Sequence, residues 1–204
     1  MKAEIMGQAA FITGAAGGIG RALALALASR GVQVTVLDLK TAMGKETVRL
    51  VEEQHATISY KPTSPSAIFI HCDVTKPDEL AAAFARHHEV FGRLDIFINN
   101  AGIGGGEPFY DGADWRKVID VNLVAVIEGT SKAIQAMKDQ GGLILNVASA
   151  SSIVPTPYLP VYSASKAGVA MFTRSIAHIG MGIRVKTICA EVQRNWLMEP
   201  IKGI

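Results

Sequence analysis

Six short apolar runs recur along the chain: Ala9–Ile12, Val32–Leu37, Ala67–His71, Leu94–Ile98, Gly142–Val147 and Ile183–Ile188. They are rich in β-branched and aliphatic residues and scarcely alternate with polar ones, the pattern of strands covered on both faces. Between them lie stretches with helical spacing at about residues 18–30, 42–55, 77–91, 112–138 and 162–180. In the third, Leu80, Ala83, Phe84 and Phe91 mark one face, and Thr75 and Asp78 are placed for a capping box around Pro77. Strand and helix alternate throughout, which predicts an α/β fold with a parallel sheet and helices on both sides. Lys61–Ser66 is a turn-rich insertion, expected as a surface loop.

With 204 residues, 49% hydrophobic and 19% charged, the chain can bury a full core, and residues 1–204 are expected to form a single domain. That balance excludes intrinsic disorder. A net charge of +2, from scattered basic and acidic residues, gives no pull toward nucleic acid or an anionic membrane. Gln140–Ser165 carries no charge, but three prolines, Asn146 and five serines rule it out as a membrane helix. Cys72 and Cys189 make neither a disulfide framework nor a metal spacing, the five histidines show no ligand pattern, and Met1–Gly7 has no apolar signal core. The expectation is a soluble cytoplasmic protein without a metal site.

Thr13-Gly14-Ala15-Ala16-Gly17-Gly18-Ile19-Gly20 follows the first strand and opens the first helix. Glycines there let the backbone turn tightly and approach a pyrophosphate, whose charge is met by amides at the helix start. Gly14, Gly18, Ile19 and Gly20 are therefore candidate cofactor-binding residues. Asp38 ends the second strand, 18 residues past Gly20, where a carboxylate can accept both hydroxyls of an adenosine ribose and repel a 2′-phosphate. This favours NAD over NADP; the alternative is a solvated strand-end aspartate. Asp73, after the third strand, could contact the adenine amino group or cap a turn.

Asn99-Asn100-Ala101-Gly102 follows the fourth strand, Tyr162-Ser163-Ala164-Ser165-Lys166 opens the last helix, and Phe91–Ile96, Val121–Leu123 and Gly182–Val185 lie between and after them. With the spacing Gly14-x-x-x-Gly18-Ile19-Gly20, this combination resembles the short-chain dehydrogenase/reductase family over nearly the whole chain, and most of all its NAD-dependent 15-hydroxyprostaglandin dehydrogenases. The resemblance implies a Rossmann-type doubly wound sheet of about six strands in the order 3-2-1-4-5-6. It also implies cofactor contacts from Val74, Asn100, Ala101 and Gly102.

Tyr162 and Lys166 are four apart, hence on one helix face. An alcohol being oxidised must lose a proton as its hydride leaves, and free tyrosine is a poor base at neutral pH. An ammonium about 5 Å away would favour the phenolate by about 3 kcal/mol at an effective dielectric near 20. The resemblance implies Tyr162 as acid/base, Ser149 holding the substrate oxygen, Lys166 also binding the nicotinamide ribose, and Asn122 anchoring a proton-relay water.

Three positions depart from the family. Ala190-Glu191 replaces the usual Pro-Gly after the sixth strand. Leu159 stands where prostaglandin dehydrogenases carry a substrate-contacting glutamine, which disfavours prostaglandins. The chain ends at Ile204, so the family's substrate-covering segment and seventh strand are expected to be lacking. Two functions follow: an NAD-dependent oxidoreductase on a secondary alcohol or ketone, or a catalytically weak nucleotide-binding isoform acting through dimerisation. Helices 112–138 and 162–180 carry apolar residues nearly all round, so both faces should be covered, in a homodimer or a dimer with a longer relative.

Overall fold

The computed structural model describes residues 5–62, 64–104, 109–110 and 114–190. Its six strands are β1 (Ala9–Thr13), β2 (Gln33–Asp38), β3 (Ala67–His71), β4 (Ile96–Asn99), β5 (Gly142–Ser149) and β6 (Ile183–Ala190). Its helices are α1 (Gly18–Ala28), α2 (Thr41–Thr57), α3 (Pro77–Phe91), α4 (Trp115–Ile119), α5 (Ala125–Met137) and α6 (Pro160–Ser175). Every strand pair is parallel and the order is β3-β2-β1-β4-β5-β6, as the sequence predicts. The order reverses between β1 and β4, which opens a crevice at their carboxyl ends.

Alternate residues of each central strand face opposite layers. Ala10 and Ile12 pack with Ala24 and Ala28 of α1 and Val51 of α2, whereas Phe11 packs with Leu80 and Ala83 of α3 and Ala133 and Met137 of α5. Phe11 stacks on Phe84 at 4.7 Å and lies 5.5 Å from Phe97. The two edge strands do not fit the expectation of burial on both faces. In β6, buried Ile183 and Val185 alternate with exposed Arg184 and Lys186, and β3 is only half-buried along its middle. An edge strand has one neighbour and a narrower helical cover, so polar residues return.

The α5–α6 side of the sheet holds a buried polar ladder. Asn99 Nδ2 donates to Asn146 Oδ1 (2.9 Å) and Thr130 Oγ1 (3.1 Å), and Asn146 Nδ2 donates to Thr173 Oγ1 (2.9 Å). These bonds pin α5 and α6 to β4 and β5, because each group left unpaired in the interior would cost about 1–3 kcal/mol. Gly129 lets α5 approach closely: a Cβ there would lie 2.7 Å from Asn99 Oδ1.

Two expected helical features are corrected. Thr75 and Asp78 form no capping box; Thr75 donates both its amide (3.0 Å) and its hydroxyl (2.8 Å) to Asp73 Oδ1, and α3 simply begins at Pro77. Lys76 takes the cap position with no side-chain cap bond, so Thr75 stands one residue too early to cap the helix. The stretch 112–138 is not one regular helix either: its first residues lie partly outside the described ones, and a π-helical turn, Asp120–Val124, separates α4 from α5. The last helix spans Pro160–Ser175, with Pro160 at its first turn where no amide is needed. Cys72 is buried beside β3 and Cys189 is exposed on β6, at opposite sheet edges. Among the described residues no helix is long and apolar enough to cross a membrane, and no acidic, histidine or cysteine cluster suits a metal.

His87 is buried between α3 and β2. Its Nε2–H donates to the Arg93 carbonyl (2.9 Å), so its Nδ1 accepts from the Thr35 hydroxyl (2.7 Å) and the ring is neutral. Burial pushes it from 6.5 down to about 4. Between those values the unfolded chain binds a proton that the folded chain refuses, so this contribution to stability is full above pH 6.5 and lost as pH falls toward 4. Urea unfolding should show the protein losing about 3 kcal/mol more than a His87→Gln variant across that window.

Candidate active site

The crevice between β1 and β4 is walled by the glycine turn. Gly14 adopts φ +66°, and a Cβ on it would lie 2.8 Å from Ala101 Cα; a Cβ on Gly20 would collide with the Gly14 carbonyl. Asn100 Nδ2 donates to the carbonyls of Thr13 (2.9 Å) and Gly14 (3.0 Å). Thr13 Oγ1 accepts from the amides of Asn100 and Ala101, both at 3.0 Å. The turn after β4 is thus bonded to the turn after β1.

A second set of bonds fixes the middle of the turn. Asp38 Oδ2 accepts from Ala16 N (3.0 Å) and its Oδ1 accepts from Lys40 N (3.0 Å). Thr47 Oγ1 donates to Ala15 O (3.0 Å), and Arg21 donates to Ala16 O, Met43 O and Thr47 Oγ1. Beyond this turn α1 starts at Gly18, with Gly17 as a cap that offers no side chain and no acid in the first turn. Its first amides and the helix dipole face outward, and the close-packed glycines leave room for a backbone-hugging ligand. This cradle fits the diphosphate of a dinucleotide.

At the carboxyl ends of β4 and β5 the π-helical turn carries Asn122 inward, fully buried. Its Oδ1 accepts from Ile103 N (2.8 Å), and its Nδ2 donates to Ile103 O (2.9 Å) and Ser165 Oγ (3.1 Å). Ser165 in turn donates to the Tyr162 carbonyl (2.7 Å). Lys166, only 4% exposed, donates from Nζ to the Val147 carbonyl (2.8 Å) and sits 5.9 Å from the centre of the Tyr162 ring. Burial lowers its pKa to about 8, which still leaves a cation at neutral pH. A Cβ on Gly102 would lie 3.3 Å from Asn122 Oδ1 and 3.4 Å from Lys166 Nζ, so the backbone of that turn lies against the lysine. Ser149 ends β5 and caps a 3₁₀ turn, Ala150–Ser152, accepting from Ser151 N (3.2 Å); Ser152 Oγ donates to the Lys166 carbonyl (3.0 Å).

The candidate residues from sequence therefore meet at one end of the sheet. Gly14, Asn100 and Ala101 are bonded together with Thr13, and Gly20 packs against them; Asn122 is bonded through Ser165 to the Tyr162 carbonyl, with Gly102 packed against Asn122 and Lys166; and Ser149 is linked to the Lys166 carbonyl through its turn. Gly18 and half-exposed Ile19 start α1. Asp38 lies at the end of β2 beside His71 of β3, and Val74 lines a small cavity with Thr13, Asn99, Ala101 and Val121. Asp73 follows β3, its carboxyl held below the usual range by the Thr75 amide and hydroxyl. Ala190 pairs in register with Ser149, while Glu191 lies outside the described residues. Thr13, Arg21, Thr47 and Ser165 escaped the sequence reading. Thr47 had a signal: it falls on the inward stripe of α2 with Gly44, Val51 and His55.

The family model for short chain dehydrogenases matches residues 8–195, and the chain belongs to the short-chain dehydrogenase/reductase family. It is 35% identical to human 15-hydroxyprostaglandin dehydrogenase [NAD(+)], over 98% of this chain and 73% of that protein. It is 37% identical to an uncharacterized oxidoreductase of Thermotoga maritima, over 98% of this chain and 78% of that one. A crystal structure of levodione reductase superposes with a TM-score of 0.83 at 29% identity, covering 91% of this chain and 72% of its own. The family is one of hydride-transferring oxidoreductases that act on hydroxyl groups through a nicotinamide cofactor.

Proposed function

We propose that this chain is an NAD-dependent oxidoreductase interconverting a secondary alcohol and a ketone, with Tyr162 as the acid/base. The observation that carries the reading is the buried Lys166 cation beside the Tyr162 ring, on the same helix face and against the Gly102 backbone. In so dry a place its charge favours the phenolate by more than it would in water. In oxidation, Tyr162 Oη takes the proton of the alcohol, and Ser149 Oγ holds the alcohol oxygen. A bound nicotinamide would supply the hydride acceptor, and Lys166 would also hold its ribose. Asn122, whose side chain is held by Ile103 and Ser165, would anchor the relay water that the family resemblance implies.

Gly14, Gly18, Ile19 and Gly20 would hold the diphosphate; Asn100, Ala101, Gly102 and Val74 would flank the nicotinamide half, and Asp73 the adenine. NAD rather than NADP is supported by Asp38, whose carboxylate is fixed by two amides with lone pairs left for ribose hydroxyls. A 2′-phosphate would meet that fixed charge.

A dimer through α5 and α6 is supported by Val124, Ile127 and Met171, which stay exposed on faces that the chain itself leaves uncovered. Static light scattering at micromolar concentration should give twice the chain mass; a monodisperse monomer would contradict this.

Replacing Tyr162 by Phe should lower turnover by roughly 10²–10⁴-fold while NADH fluorescence enhancement on binding persists. Retained turnover would move the chemistry elsewhere. The Asp38→Ala variant should bind NAD about tenfold more weakly and lose its preference over NADP. Tighter binding of NADPH than of NADH by the unaltered protein would overturn the assignment.

A further inference from the structure

Between β1 and α1 the chain runs through three peptide units, joining Gly14 to Ala15, Ala15 to Ala16 and Ala16 to Gly17, and each is held from outside the turn. The first donates its amide to the Leu37 carbonyl of β2 (3.2 Å) and accepts at its carbonyl from Asn100 (3.0 Å). The second is gripped at both ends: Thr47 Oγ1 donates to the Ala15 carbonyl and Asp38 Oδ2 accepts from the Ala16 amide, both at 3.0 Å. The third accepts at the Ala16 carbonyl from Arg21 Nη2, and the Arg21 amide donates to the Gly17 carbonyl just beyond (3.1 Å).

Arg21 and Thr47 work on this turn as one device. Arg21 Nε donates to Thr47 Oγ1 (2.9 Å) and its Nη2 also donates to the Met43 carbonyl (3.0 Å), so one planar edge of the guanidinium lies along α2. The Thr47 hydroxyl is fully buried. Its single proton goes to Ala15 O at 3.0 Å rather than to Met43 O at 3.2 Å, which Arg21 already serves. The helix itself sits directly on the sheet, because Gly44 leaves room for the Phe69 ring of β3 where a Cβ would collide. In a trans peptide the carbonyl and the amide point in opposite directions. Holding the Ala15 and Ala16 carbonyls therefore turns the Ala16 amide to Asp38 and the Gly17 amide away from Arg21. A flipped peptide would set a carbonyl oxygen, with its partial negative charge, among the amides that begin α1, where it would repel a diphosphate.

We infer that Arg21 and Thr47 are positioning residues for the dinucleotide, acting through the Ala15 and Ala16 carbonyls. They aim the Gly17 amide and, through the Ala16 amide, the Asp38 carboxylate. This rests on the oxidoreductase reading above only in taking a nicotinamide dinucleotide as the ligand of the turn. It makes α2, which carries none of the candidate site residues, part of what sets cofactor affinity.

The test uses the purified full chain and three variants. Thr47→Val keeps the shape and removes the hydroxyl, Thr47→Ser restores it, and Arg21→Lys keeps the charge but loses the planar fork. Calorimetric titration with ADP-ribose and with NADH should give dissociation constants about tenfold higher for Thr47→Val and Arg21→Lys, and within about twofold for Thr47→Ser. In the ligand-free protein, exchange of the Ala16 amide should be about tenfold faster in the two weakened variants, with the amides of β4 and β5 unchanged. A change in affinity under about threefold in either of those variants overturns the inference. So does a Thr47→Ser variant as weak as Thr47→Val, or loosening that spreads through β4 and β5, or failure of both weakened variants to fold, since each makes the grip merely structural. Failure of the unaltered chain to bind either nucleotide overturns this inference and the oxidoreductase reading together. Tight nucleotide binding that the variants weaken, with no turnover across a panel of secondary alcohols, keeps this inference and removes the oxidoreductase reading.

Discussion

Parallel strands β1 and β4 send their chains to opposite faces of the sheet, and the gap at their carboxyl ends must be closed by groups other than strand partners. Thr13 and Asn100 close it. One threonine hydroxyl accepts two amides from the turn after β4, and one asparagine amide satisfies two carbonyls of the turn after β1. Glycine at positions 14 and 20 is the steric consequence: a Cβ on Gly14 would meet the Ala101 backbone of the partnering turn, and one on Gly20 would meet the Gly14 carbonyl and the Asn100 side chain. Asp38, Thr47 and Arg21 then hold Ala15 and Ala16 from the other side. The cradle is shaped before any ligand arrives, which spares a ligand the cost of ordering it.

The second half of the site depends on burying a cation. Lys166 has one carbonyl partner and otherwise lies in protein, so burial lowers its pKa to about 8 without discharging it at neutral pH. On the proposed function, that cost is met by the charge it sets beside Tyr162. The π-helical turn serves the same end: one extra residue in the turn brings Asn122 round to the crevice, where its side chain holds Ile103. The ladder from Asn99 through Asn146 to Thr173 fixes how α5 and α6 sit on the sheet, and hence where Tyr162 and Lys166 stand relative to Ser149.

The family's fold and its nicotinamide chemistry are carried by local patterns that survive in one dimension. Six apolar runs at the right lengths, a glycine turn between strand and helix, an acid at the end of the second strand and a Tyr-x-x-x-Lys pair each owe their meaning to spacing along the chain. Strand order comes from the family resemblance, since the preferred hand of parallel crossovers allows more than one order. Ala67–His71 matches its strand at both ends, and Gly142 and Ile183 open theirs, each of the last two following a glycine at positive φ.

What the sequence could not determine depends on groups far apart meeting in space. Thr75 offers a capping hydroxyl in any local reading, and only the folded turn shows α3 capped at Lys76, with Thr75 donating to Asp73 instead. A π-helical turn has no separate signature in a run such as Asp120–Val124; it forms because the crevice needs Asn122 buried. Asn146 stands out as polar within an apolar strand, but its partners Asn99 and Thr173 lie 47 and 27 residues away. The sequence by itself determined the six strands, most of the helices and their layer arrangement, and it named the residues of the candidate site, because those rest on periodicity and on residue type. Tertiary structure alone decided which polar groups are satisfied by one another and which apolar side chains stay exposed. Both are properties of surfaces that exist only once distant segments have been packed together.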